Sequence, residues 1–116
     1  MSIKRVLQTL AGLGLNESDA KIYVFLAKKG PHTGKDLCNA MNLKKPQVYP
    51  CLKNLQTRGL VNATPERPAL FSAEPFERVL DLLVEDKMKE AQRTQKDREE
   101  ALTYWQSMMT NEHEKE

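Results

Sequence analysis

Apolar residues recur along the first sixty positions at the three-and-four spacing of helices that bury one face. Residues 2–12 place Ile3, Val6, Leu7 and Leu10 on one stripe, and "GLGLN" then breaks the pattern. A second helix is predicted from Asn16 to about Lys29, with Ala20, Tyr23 and Leu26 on its buried stripe and Ile22 beside it. Asn16 suits the N-cap, because its side-chain oxygen can accept from the open amides of the first turn. Glu17 and Asp19 add negative charge where the helix dipole favours it. Leu15 and Ala20 are placed like a small hydrophobic staple. Lys28 and Lys29 in the last turn, followed by Gly30, form a strong stop signal. "PHT" is a short extended link. Thr33 caps a third helix, about 34–42, buried through Leu37, Cys38 and Met41. "NLK" connects it tightly to a fourth, from Pro46 to about Arg58, ended by Gly59.

Past Gly59 the period changes. "LVNA" and "ALFSA" read as short strands on either side of a "TPERP" turn, a hairpin. Then the composition shifts. No Gly or Pro follows Pro75 as far as residue 110, which predicts one helix on the order of 50 Å long. Its first part carries Phe76, Val79, Leu82 and Leu83, a wide face for docking on the preceding domain. Along the helix the apolar positions also recur at intervals of four and three: Leu80, Val84, Met88, Ala91, then Leu102, Trp105 and Met109. Gln95 and Arg98 hold the seam positions between them, so the seam is coiled-coil-like with a polar interruption. A homodimer seam through Val84, Met88, Ala91, Gln95, Arg98, Leu102, Trp105 and Met109 is expected; the alternative is a helix folded back on its own domain. The final "NEHEKE" reads as a polar, frayed tail. The expected division is 1–73 and 74–116.

The fourth helix contains "KKPQVYPCLKNL". Helical rotation turns Val48, Cys51, Leu52 and Leu55 inward. Pro46, Gln47, Pro50, Lys53, Asn54 and Thr57 face outward, with Tyr49 at the edge. A proline inside a helix costs about 3 kcal/mol or more through a lost hydrogen bond and a clash. With Lys45 as cap, Pro46 becomes the first helical residue, where a missing amide costs nothing. Pro50 then disturbs only the leading turn, and a kink or loosened turn is expected over residues 45–49.

Net charge changes the picture more than length does. The chain of 116 residues carries +2 overall, but residues 1–73 hold 11 Lys and Arg against 4 Asp and Glu. Residues 74–116 hold 7 against 12, so the halves are +7 and −5. Such a split points to an anionic partner on the basic side, with an ordinary solvated surface as the plainer reading. No apolar run reaches the roughly 18 residues of a membrane span, and the N-terminus has no signal-peptide pattern. The expected location is cytoplasmic, at the nucleoid. Cys38 and Cys51 lie in apolar helical patterns and read first as buried thiols. The two histidines, His32 and His113, sit in a link and in the tail. With no catalytic constellation and no phosphate-cradling glycine loop, an enzyme is not expected. No metal and no cofactor are expected.

Three helices, a short turn between the third and fourth, and then a hairpin give the order of a winged helix-turn-helix. The fold expected is mainly α with a small β-hairpin wing, plus a long C-terminal coiled-coil-like dimerisation helix. In this motif the second helix of the pair enters the major groove and the first braces it. Amide and ammonium groups suit base edges and phosphates, and a helix start with free amides suits a phosphate. The candidate DNA-binding residues are therefore Lys44, Lys45, Gln47, Tyr49, Lys53, Asn54, Thr57 and, at the hairpin tip, Arg67.

"LGLNESDAKIYVFLAKKG" followed by "TGKDLCNAMNLKKPQVYPCLKNLQTRGLV" resembles the DNA-binding domain of the TrmB family of archaeal and bacterial transcription regulators. The positions that carry the resemblance are Leu13, Gly14, Leu15, Ala20, Tyr23, Leu26 and Gly30, then Leu37, Val48, Tyr49, Leu52, Leu55, Gly59, Leu60 and Val61. It covers roughly residues 5–73, and related families such as MarR share its "L..L...GLV" ending. The resemblance implies a sequence-specific transcriptional regulator that binds operator DNA as a homodimer. Larger family members carry a C-terminal effector domain that binds sugars. This sequence ends after the helix, so no small-molecule effector is expected. Pro50 departs from the family, which commonly has an ordinary helix former there. Two other readings stay open: a winged helix that binds protein in transcription or chromosome machinery, and a thiol- or metal-responsive repressor using Cys38 and Cys51.

Overall fold

The structure, a computed structural model, describes residues 2–111. Five helices and three short strands follow in the order α1 (Ile3–Gly12), α2 (Glu17–Lys29), β1 (His32–Thr33), α3 (Gly34–Met41), α4 (Lys45–Thr57), β2 (Val61–Ala63), β3 (Leu70–Ala73) and α5 (Phe76–Thr110). Two compact units result, Met1–Val84 and Glu85–Glu116. The first therefore runs past the boundary expected at residue 73. The reason is burial: Val79 and Leu83 on α5 are fully buried in the core of that unit. The expected frayed tail, His113 included, lies outside the described residues from 112 onward.

Local chemistry sets the helix ends. Asn16 caps α2 by accepting from the Asp19 N–H at 2.8 Å, and Thr33 caps α3 by accepting from the Asp36 N–H at 3.1 Å. Leu15 and Ala20 are both buried beside the α2 cap, as a staple requires. Gly30, Gly59 and Gly14 all have positive φ, and Gly30 directly follows α2.

The core gathers one stripe from each element: Leu10, then Ala20, Ile22, Tyr23 and Leu26, then Leu37, then Val48, Leu52 and Leu55. Leu60, Val61 and Phe71 from the wing region and Val79 and Leu83 from α5 close it. Cys38 and Met41 are only half-buried at its margin.

The sheet has three strands, not the expected two. Its order is β1-β3-β2, antiparallel throughout, with His32 opposite Phe71 and Ala63 opposite Phe71 from the other side. The "PHT" link is extended as expected, but it also pairs. Two residues are too few to show strand alternation, so only the fold reveals that pairing.

One junction joins the wing to the helices. The Tyr23 hydroxyl donates to the Glu74 carbonyl at 2.7 Å, and the Glu74 N–H donates to the Leu60 carbonyl at 3.0 Å. The Glu74 carboxylate takes the Asn62 amide and the Arg78 guanidinium. Burial, and then the negative charge of Glu74, push the Tyr23 hydroxyl up to about 12. The folded protein thus holds this proton more tightly than the unfolded chain does. The stabilisation is complete below the ordinary tyrosine value of 10 and is lost as pH rises from there to about 12. Tyr23→Phe should cost about 0.5–1.5 kcal/mol in urea unfolding at neutral pH. In a spectrophotometric titration, one of the three tyrosines should ionise late and be missing from the variant.

Candidate nucleic-acid interface

The turn between α3 and α4 is tight and fully bonded. Asn42 adopts the left-handed conformation (φ 55°, ψ 47°), which asparagine tolerates better than most residues. The Leu43 N–H donates to the Cys38 carbonyl at 2.9 Å, and the Asn42 N–H to the Asn39 carbonyl at 3.4 Å. These two bonds form a Schellman stop, which ends α3 and aims the chain into α4.

α4 begins one residue earlier than expected. Lys44, not Lys45, is the N-cap; Lys45 is the first helical residue and Pro46 the second. Pro46 still sits where its missing amide has no helical partner to lose. The Gln47 side-chain carbonyl folds back and accepts from the Lys44 N–H at 2.8 Å. The Lys44 carbonyl accepts from both Gln47 N–H (2.8 Å) and Val48 N–H (3.2 Å), so the leading turn is tightened. Pro50 becomes the sixth residue, and the helix runs unbroken through it to Thr57. The disturbance expected over residues 45–49 does not interrupt the helix. The Cys51 thiol donates to the Gln47 carbonyl at 3.4 Å one turn back.

The two faces of α4 fall as the rotation predicts. Val48, Cys51, Leu52 and Leu55 are buried. Lys44, Lys45, Gln47, Tyr49, Lys53, Asn54 and Thr57 are exposed, as is Arg67 in the bend between β2 and β3. That bend is closed by Thr64, whose N–H donates to the Leu70 carbonyl (3.0 Å) and whose hydroxyl accepts from the Leu70 N–H (2.9 Å). The result is a ridge with Lys44 and Lys45 at the open amides of a helix start, Lys53 two turns further along, and a separate arginine on the wing.

Asn54 is exposed, but its side chain already has a partner. Its side-chain amide turns inward and donates to the Asp19 carboxylate at 2.5 Å. Asp19 is 1% exposed, and the Asn16 amide reaches the same carboxylate at 3.2 Å. A buried carboxylate needs such donors, so Asn54 serves α2 before it can serve a base. Gln47 is partly committed in the same way, through its carbonyl.

Tyr49 lies over Gly34, the first residue of α3. A methyl group at Gly34 would come 2.5 Å from the Tyr49 hydroxyl oxygen and 2.6 Å from Cζ. Only hydrogen at that position lets the ring lie down. Neither Gly34 nor Asp19 is picked out by reading the sequence for surface chemistry. The available signals were a glycine just inside a helix and an aspartate spaced i, i+4 with buried Tyr23.

Cys51 does not suit thiol signalling. Burial first, and then the Asp19 carboxylate nearby, push the thiol up to about 12. A reactive cysteine needs the opposite shift. Among the described residues, no three His, Cys, Asp or Glu side chains cluster to hold a metal.

A family model described as "Sugar-specific transcriptional regulator TrmB" matches residues 10–77. The chain is 27% identical over 93 residues to the HTH-type sugar sensing transcriptional regulator TrmBL1 of Pyrococcus furiosus, covering 80% of this chain and 27% of that protein. Its fold matches that of TrmBL2, an archaeal chromatin protein, with a TM-score of 0.83 at 22% identity, over 99% of this chain and 45% of that one. It also matches ST1889 from the thermoacidophilic archaeon Sulfolobus tokodaii, with a TM-score of 0.59 at 21% identity, over 73% and 96% of the two chains. The chain thus spans about a quarter of TrmBL1 and under half of TrmBL2.

A double-mutant cycle tests the Gly34 platform. Gly34→Ala should destabilise by about 1 kcal/mol, the low end of overpacking, because the ring end of Tyr49 can swing away. In a Tyr49→Ala background the same change should cost nothing. A coupling of at least about 0.5 kcal/mol is expected from chemical denaturation; strict additivity would show the contact is not made in solution.

Proposed function

The chain belongs to the TrmB family of transcriptional regulators, and from that premise we propose that it recognises specific operator DNA as a homodimer. The family and fold are those of winged-helix DNA-binding regulators, not of enzymes. The observation that carries the reading is the division of α4. Its apolar side is locked in the core, while its other side offers Lys44, Lys45, Lys53 and Thr57 to solvent.

In this reading α4 enters the major groove and α3 braces it. Lys44 and Lys45 take phosphates at the helix start, where the first-turn amides and the dipole add to them. Lys53, Thr57 and the remaining donors of Gln47 face base edges and flanking phosphates. Tyr49, held against Gly34, provides a ring with its hydroxyl at the edge of the contact. Asn54 acts from beneath, through Asp19. Arg67 on the wing takes a further phosphate or enters the neighbouring minor groove.

A single short helix reads few base pairs, so two copies on a two-fold site are needed for useful specificity. The seam of α5 supplies the surface: Val84, Met88, Leu102, Trp105 and Met109 are all exposed in the single chain. No helix among the described residues is long and apolar enough to cross a membrane. We place the protein on the nucleoid in the cytoplasm.

Two measurements on the full chain test this. Affinity for duplex DNA should fall steeply with salt, because each neutralised phosphate releases counterions. Lys53→Ala should weaken binding and lower the slope of log K against log salt by about 0.9, one phosphate contact. Leu102→Asp should convert the dimer to a monomer in sedimentation equilibrium and weaken operator binding. A salt-independent interaction would instead favour a protein partner for the same face.

A further inference from the structure

The proposed dimer can be taken one step further, because the seam of α5 carries its own direction. We infer that two copies pair antiparallel, in the register that sets Met88 against Trp105 of the second copy. This rests on the homodimer reading above.

A four-three spacing reads the same from either end, so both orientations bring apolar positions together. The orientations differ in which side chain meets which. An in-register parallel pair sets every seam residue against itself. Arg98 would then oppose Arg98, two like charges in one layer. Trp105 would oppose Trp105 and Ala91 would oppose Ala91, overfilling one layer and leaving a gap in another.

Reversing one helix exchanges the two kinds of seam position, and the mismatches vanish. Ala91 now meets Leu102, a small side chain against a large one. Met88 meets Trp105, and a thioether beside an aromatic ring is a favourable contact. Gln95 meets Arg98, so both polar residues share the middle layers and the amide carbonyl can accept from the guanidinium. Val84 meets Met109, and no seam position is left without a partner. A slip of one heptad either way would set Arg98 against Met88 or against Leu102. The register that pairs polar with polar is therefore singled out.

The Arg98 guanidinium lies 3.0 Å from the Glu99 carboxylate on its own helix, and the Gln95 amide donates to the same carboxylate at 3.4 Å, so the two polar seam residues already share a partner. The flanking rows also carry no like-charge opposition: Glu99 comes beside Gln92, and Lys87 beside Met108.

The orientation has a geometric outcome. In the antiparallel register the two Val84 residues lie about 38 Å apart along the pair, against side by side in a parallel one.

Disulfide trapping in the full chain tests the inference. Met88→Cys and Trp105→Cys variants are oxidised each alone and as a pre-equilibrated mixture, with links assigned by peptide mass so that Cys38 and Cys51 can stay in place. The expected link joins Cys introduced at 88 to Cys introduced at 105, and only in the mixture. Self-linking at 88 requires two positions about 26 Å apart to come within disulfide reach, so it should be absent. Ala91→Cys mixed with Leu102→Cys repeats the test without removing the tryptophan. Self-linking of Met88→Cys would overturn the orientation and leave the dimer standing. A wild-type chain that sediments as a monomer at all concentrations would overturn the dimer, and this inference with it.

Discussion

A carboxylate that has left water must be met by donors, and Asp19 is met from two directions. Asn16 reaches it from the start of its own helix, and Asn54 from across the gap between α2 and α4. The helix dipole at the α2 N-terminus favours the same charge. Because the donors must come within hydrogen-bond distance, α4 cannot roll or slide against α2 without stranding the charge. The apolar contacts of Val48, Leu52 and Leu55 hold the helix down, but such contacts are not directional. Asp19 contributes the direction. The outward face of α4, and with it the Tyr49 ring over Gly34, takes its position from that setting.

The helical part of the fold was legible because each helix announces itself locally. The stripes through Leu10, Tyr23, Leu37, Leu52 and Leu83 follow from spacing alone. The caps at Asn16 and Thr33 follow from side-chain chemistry. What stayed hidden depends on contacts between distant residues. β1 is a strand only because Leu70 and Phe71 come alongside it, nearly forty positions later in the chain. The start of α4 moved by one residue because Gln47 folds back to cap Lys44, a choice that two adjacent lysines do not reveal. Asp19 read as a first-turn charge, and its burial shows only once Asn54 is seen above it.

The candidate interface was legible by position more than by role. Rotation correctly sorts inward from outward on α4, which is why Lys44, Lys45, Lys53 and Thr57 emerge where expected. It cannot say that an outward residue is already occupied. Asn54 and Gln47 are polar and exposed, yet each has spent part of its hydrogen-bonding capacity inside the molecule. Tyr49 is exposed but rests on a backbone that only glycine provides.

This division bears on how such a regulator can diverge. Lys53 and Thr57 touch solvent and make no contact that the core needs. Changes there leave stability within about 0.5 kcal/mol, the usual effect of surface substitutions. A lineage can therefore try many side chains at these positions and acquire a new target without first acquiring a compensating mutation. Asn54 and Gly34 are different. A change at Asn54 strips a donor from the buried Asp19 carboxylate, and a larger residue at Gly34 displaces the Tyr49 ring. Divergence at either of those sites therefore requires a second change at its counterpart, whereas Tyr49 can be replaced while Gly34 stays.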